Sequence, residues 1–96
     1  MKARLVFRHK ARLQNRYVLE MEIHEVGKSS KYKNGVRYSM ILIDLSTGRR
    51  VLMDNHHPKG HHLHLDSTEL SYTFVTVDRL IDDFKKLVME HLEVKI

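Results

Sequence analysis

Apolar and polar positions alternate through the first two-thirds of the chain and take helical spacing only near its end. In residues 3–9, Ala3, Leu5 and Phe7 point one way and Arg4 and Arg8 the other. That is a period of two, the mark of a strand. Residues 10–15 are polar and predict a turn. Residues 16–26 alternate again, with Tyr17, Leu19, Met21 and Ile23 set against Glu20, Glu22 and His24. The two segments should pair as an antiparallel hairpin that brings Arg4 and Arg8 near Glu20 and Glu22. Residues 27–35 hold three lysines, Tyr32 and an Asn34-Gly35 turn signal, so they read as a solvated loop or a basic lip.

Residues 36–45 are the most apolar run and predict a central strand covered on both faces. Ser46-Thr47-Gly48 turns the chain, and residues 49–55 return as a fourth strand. Pro58 and Gly60 mark a loop. Residues 61–66 then predict a short fifth strand, with Leu63 and Leu65 inward and His62, His64 and Asp66 together on the opposite face. A polar gap follows, and residues 73–75 allow one further short strand. From 77 to 92 the period changes. Val77, Leu80, Ile81, Phe84, Leu87, Val88 and Leu92 form one apolar stripe. Thr76 suits the N-cap and Asp78 the first turn, where the helix dipole favours a carboxylate. Asp82 and Lys86 are spaced for an exposed i,i+4 pair. The expectation is an α+β fold in a single domain: an antiparallel sheet of about five strands, with one C-terminal helix packed on one face and the histidines on the other.

A chain of 96 residues buries only about 60–65% of the surface it exposes unfolded, so pairing with a second copy or another protein would help its thin core. Cysteine is absent, which removes disulfides, thiol nucleophiles and Cys-based zinc sites. The basic start, with Lys2, Arg4, Arg8 and Lys10, does not read as a signal peptide, and no apolar run approaches a membrane span. A cytoplasmic protein is expected, with no membrane association. Seventeen Lys and Arg against twelve Asp and Glu leave a net charge of +5, which attracts nucleic acid or an acidic partner.

Five of the eight histidines fall between Asp54 and Asp66. Histidine changes charge near neutral pH, which suits acid–base chemistry, metal ligation or phosphate binding. On a strand, His62 and His64 stand side by side, with Cα atoms roughly 6–7 Å apart. If strands four and five are neighbours, Asp54 reaches one imidazole and orients it. Two histidines, one as base and one as acid, would serve RNA cleavage by the 2′-OH. Arg37, Arg49, Arg50 and Lys59 are the candidate phosphate-binding cations. The same His62, His64 and Asp54, completed by His56 or His57, would also hold a divalent metal. A surface cluster that bonds only its own loop is the plainer alternative. The scattered glycines form no nucleotide-binding fingerprint, so no nucleotide cofactor is expected.

The string from Tyr38 onward (YSMILID, then VLMDNHH, then KGHHLH, a polar gap, Tyr-Thr-Phe, and a helix opening VDRLIDDF) resembles the TumE family of small prokaryotic toxins. The resemblance covers about residues 36–90. It implies a toxin encoded beside a DNA-binding antitoxin that neutralises it, and carries over Asp54, Asn55, His61, His62 and His64, followed by Tyr72 and Phe74. His56 and His57 lie within the same motif. Tyr72 also reads as strand core. The family implies no particular reaction. Three function classes therefore stand: a metal-independent ribonuclease using His62, His64 and Asp54; a non-catalytic RNA- or protein-binding module; and a metal-dependent hydrolase built on the same cluster.

Overall fold

The computed structural model describes residues 3–96; Lys2 of the basic start lies outside them. Six strands form one antiparallel meander in chain order. They are β1 (Arg4–Leu13), β2 (Tyr17–Glu25), β3 (Val36–Asp44), β4 (Arg50–Asp54), β5 (His62–Leu65) and β6 (Thr68–Ser71). The helix α1 (Val77–Leu92) ends the fold and packs over β4. The α+β expectation holds, with six strands rather than about five.

The first hairpin is longer than its sequence suggested. β1 runs on through residues 10–13, and the turn tightens to Gln14, Asn15 and Arg16, the first two at positive φ. Asn tolerates that conformation better than most residues. A bulge between Leu5 and Phe7 shifts the register. It puts Phe7, Ala11 and Leu13 against the core and leaves Leu5 and Val6 exposed. Arg4 consequently pairs with Glu25, while Arg8 faces Glu22 and Lys10 faces Glu20.

β3 was expected to be covered on both faces. Instead its burial alternates without exception, with Val36, Tyr38, Met40, Leu42 and Asp44 buried and the residues between them half-buried. One helix covers only one face of a sheet. The core therefore lies between that face and α1, built from Met21, Ile23, Tyr38, Met40, Leu42, Val51, Met53 and Leu63 against Leu80, Phe84 and Val88. Each fully buried apolar side chain contributes roughly 1.5–3 kcal/mol.

α1 has the predicted limits. The Thr76 hydroxyl accepts from the Arg79 N–H at 3.1 Å, and Glu93 closes the helix in the left-handed region. The expected Asp82–Lys86 pair is replaced by Arg79–Asp83 at 3.0 Å and Lys86–Glu90 at 4.0 Å. The last strand also differs: residues 73–75 are not in the sheet, and β6 occupies what read as a polar gap. Its four residues are all exposed, as befits a short edge strand, and its one apolar side chain, Leu70, sets up no alternation.

Candidate functional site

The β4–β5 register sets Asp54 opposite His62 and Leu52 opposite His64. Val51, Met53 and Leu63 point into the core. By alternation Arg50, Leu52, Asp54, His62 and His64 share the open face. His62 Nε2 lies 3.1 Å from Asp54 Oδ1, and His62 Nδ1 lies 2.8 Å from the Gly60 carbonyl oxygen. Neither partner can donate, so both contacts are hydrogen bonds only when each ring nitrogen carries a proton. His62 is buried here, although it belongs to the uncovered side of the sheet.

His64 meets His62 edge-on, with ring centroids 5.1 Å apart. Its Nε2 lies 3.3 Å from Glu69 Oε1, the residue opposite it on β6. Its Nδ1 has no protein partner among the described residues. Lys59 reaches from the β4–β5 loop to the same Glu69 oxygen at 2.6 Å. That ion pair holds the Glu69 carboxyl below, and the Lys59 ammonium above, their usual ranges. The pair of histidines thus carries a carboxylate on each ring and an ammonium beside them.

The other predicted positions divide. Asn55 is buried and structural: its Oδ1 accepts from the Tyr38 N–H and its Nδ2 donates to the Val36 carbonyl, both at 2.9 Å. His61 stacks on Tyr38 and Phe74, with centroids 5.6 and 5.2 Å away. Its Nε2 donates to Asn34 Oδ1 at 2.9 Å, so Nδ1 accepts from the Tyr38 hydroxyl at 2.8 Å. Burial, and then the neighbouring His62, pulls its pKa down, in keeping with this neutral ring. Burial likewise pushes the Tyr38 phenol up, keeping the proton it donates.

Tyr72 leaves the sheet and donates to Asp83 Oδ2 on α1 at 2.7 Å. Its core reading is half met, since the ring packs against the core without being strand. Asp66 does not join His62 and His64. Its positive φ turns the chain, and its carboxylate takes the Arg50 N–H at 2.9 Å and His91 Nε2 at 2.8 Å. Arg49 is held there too, against Asp66 and the His91 carbonyl at the end of α1. Of the four candidate cations, Lys59 is the one that bonds the carboxylate held by His64. Arg50 shares its face, and Arg37 lies farther across the sheet.

Arg37 lines a groove of about 450 Å³ on the open face, with Lys10, His24, Tyr32, Ser39 and His56 and the carboxylates Glu20 and Glu22. Ser39 is the β3 residue opposite Asp54, so the groove runs up to the Asp54–His62 pair. Two loops close this end. The His57 N–H donates to the Tyr32 hydroxyl at 3.3 Å, and His61 holds Asn34. The peptide bond before Pro58 is cis.

Sequence reasoning missed Glu69, Tyr32 and Asn34 as partners of the histidine segment. Only the period-two pairing of β5 with β6 places Glu69 opposite His64, and the β6 sequence reads as a polar gap. The metal alternative is altered accordingly. Single ligand atoms of His62, His64 and Glu69 lie within 4.8 Å of one another. Asp54 touches only the His62 side of that group.

Fold and site together define a small basic α+β protein, with a histidine–carboxylate cluster on the uncovered face of its sheet. The chain belongs to the TumE family: the family model described as Toxin TumE matches residues 1–92. Membership makes it the toxin of a toxin–antitoxin system, with an antitoxin as partner. Searches of curated proteins and of solved structures return no match. Among the described residues, no helix is long and apolar enough to cross a membrane.

Proposed function

We propose that this toxin acts on RNA and cleaves it without a metal, by proton transfer at His64 and His62. The observation that carries the reading is the edge-on imidazole pair, each ring held by its own carboxylate, at the end of a polar groove that holds Arg37. Glu69 orients His64 and leaves its Nδ1 open, so His64 takes the proton of the 2′-OH as that oxygen attacks phosphorus. His62 is held at Nδ1 by Gly60. Its Nε2 proton rests on Asp54 and passes to the departing 5′-oxygen. The products are a 2′,3′-cyclic phosphate and a free 5′-hydroxyl. Lys59 and Arg50 offset the charge on the non-bridging oxygens, and Tyr32 and Arg37 guide the strand along the groove. On this reading the antitoxin, a DNA-binding protein, acts by denying RNA access to this face.

The test is incubation of untagged protein with total cellular RNA, with and without EDTA. Cleavage that survives EDTA and falls about 10²–10⁴-fold in His64→Ala supports the mechanism. Cleavage unchanged in both His64→Ala and His62→Ala refutes it. A second reading, metal-dependent hydrolysis, draws on the close grouping of His62, His64 and Glu69. It predicts cleavage that EDTA abolishes. A toxin that only binds RNA would show affinity falling steeply with salt, and no product.

A further inference from the structure

The same cluster has the donor set of a transition-metal site. Two imidazoles and a carboxylate favour zinc and its neighbours over magnesium or calcium, which prefer oxygen alone. The Gly60 carbonyl holds His62 Nδ1–H at 2.8 Å and leaves Nε2, beside Asp54, as the nitrogen that gives up its proton when a metal binds. Ligating histidines are held in the same way, with the far N–H on a carbonyl or carboxylate. The ligand atoms of His62, His64 and Glu69 lie within 4.8 Å of one another. Tetrahedral zinc would space them roughly 3.3–3.5 Å apart, so no pair in the group need close by more than about 1.5 Å. Glu69 is exposed and His64 half-buried, so both have room to rotate. The opposing element is Lys59, whose ammonium occupies Glu69.

We propose that His62, His64 and Glu69, with Asp54 beside His62 Nε2, bind one Zn²⁺ ion, and that the bound ion switches the toxin off. Metal on one nitrogen of an imidazole leaves the other protonated, so a zinc-bound His64 cannot accept the 2′-OH proton. The switching half of the proposal rests on the proton-transfer reading. The binding half does not.

Zinc chloride is titrated into chelator-treated, untagged protein, against a chromophoric competitor and by calorimetry. The expected result is one ion per chain. Affinity should fall at least tenfold in Glu69→Gln and His64→Ala, stay unchanged in His57→Ala, and rise in Lys59→Gln. Glu69 is exposed on the edge strand, so Glu69→Gln tests the site without endangering the fold. Absence of one-to-one binding, or wild-type affinity in Glu69→Gln and His64→Ala, overturns the site. RNA cleavage is then measured across the same zinc titration. Loss of cleavage in step with occupancy supports the switch, and cleavage that rises with zinc overturns it. If no RNA is cleaved at any zinc level, the proton-transfer reading and the switch fall together, while the binding data still decide the site.

Discussion

Replacing Asn55 by alanine should unfold this protein more readily without touching its chemistry. Asn55 follows Asp54 at the end of β4 and is only 4% exposed. Its amide completes the sheet where β4 stops, taking the Tyr38 N–H and giving a proton to the Val36 carbonyl, both at 2.9 Å. Alanine leaves two main-chain groups in a buried setting without partners. Each such orphan costs about 1–3 kcal/mol, and water entering the gap recovers part of that, so a loss of roughly 2–4 kcal/mol is expected. In a domain of this length that lowers Tm by roughly 10–25 °C. Asn55→Asp keeps the shape but sets a carboxylate oxygen against the Val36 carbonyl, two acceptors with no proton between them. At neutral pH it should therefore be at least as damaging as alanine. Urea unfolding followed by circular dichroism gives the stability, and RNA cleavage is compared at a temperature where every variant is folded. The reasoning is refuted if Asn55→Ala stays within about 0.5 kcal/mol of the parent. It is refuted equally if the variant is fully folded and yet loses cleavage.

The Asp44 carboxyl is held below its usual range, first by Arg16 at 2.9 and 3.1 Å and then by Ser46. A depressed folded pKa adds stability that is present above about pH 4 and lost as pH falls further. Asp44→Asn should thus lower Tm at neutral pH, with the gap to the parent narrowing towards pH 2; a gap independent of pH would exclude the mechanism. Tyr72→Phe removes the hydrogen bond to Asp83 while Arg79 still holds that carboxylate. It should cost about 0.5–1.5 kcal/mol by urea midpoint and leave cleavage intact. Loss of cleavage at full stability would instead make Tyr72 part of the chemistry.

Most of the fold is legible in the alternation of apolar residues, because one sheet face and one helix stripe bury the largest share of them. Elements without that signal were misread. β6 is Thr-Glu-Leu-Ser, exposed throughout, and its register comes from a turn at Asp66 rather than from burial. The bulge at Val6 was invisible for a related reason: an extra residue in a strand changes which face is buried without changing composition. At the site, the approach of Asp54 to His62 followed from neighbouring strands. The partners of His64 and His61 come from β6 and from the loop of residues 26–35, whose sequences say polar and mobile and nothing about contact. Arg49 and Asp66 were drawn towards the histidines by proximity in sequence. The turn sends them to His91 at the far end of α1 instead.

The family motif acquires its meaning from the pleat. Asp54 and Asn55 are adjacent, as are His61, His62, Leu63 and His64, yet successive residues of a strand serve opposite faces. The inward set is Asn55, His61 and Leu63. It completes the β3 edge, closes the Tyr38–Phe74 stack and fills the core. The outward set is Asp54, His62 and His64, which meet one another and Glu69. A histidine with both nitrogens taken by Tyr38 and Asn34 has none left for a substrate, whereas His64 keeps one open. The two sets depend on each other, since the inward bonds hold the strand ends at which the outward side chains converge. A one-residue slip of β5 against β4 would exchange the sets, putting His62 and His64 in the core and Leu63 on the open face. Leu63 in the core and the locked ring of His61 at its edge oppose that slip. The segment is therefore rich in histidine for two separate reasons, and only the outward residues are available for chemistry.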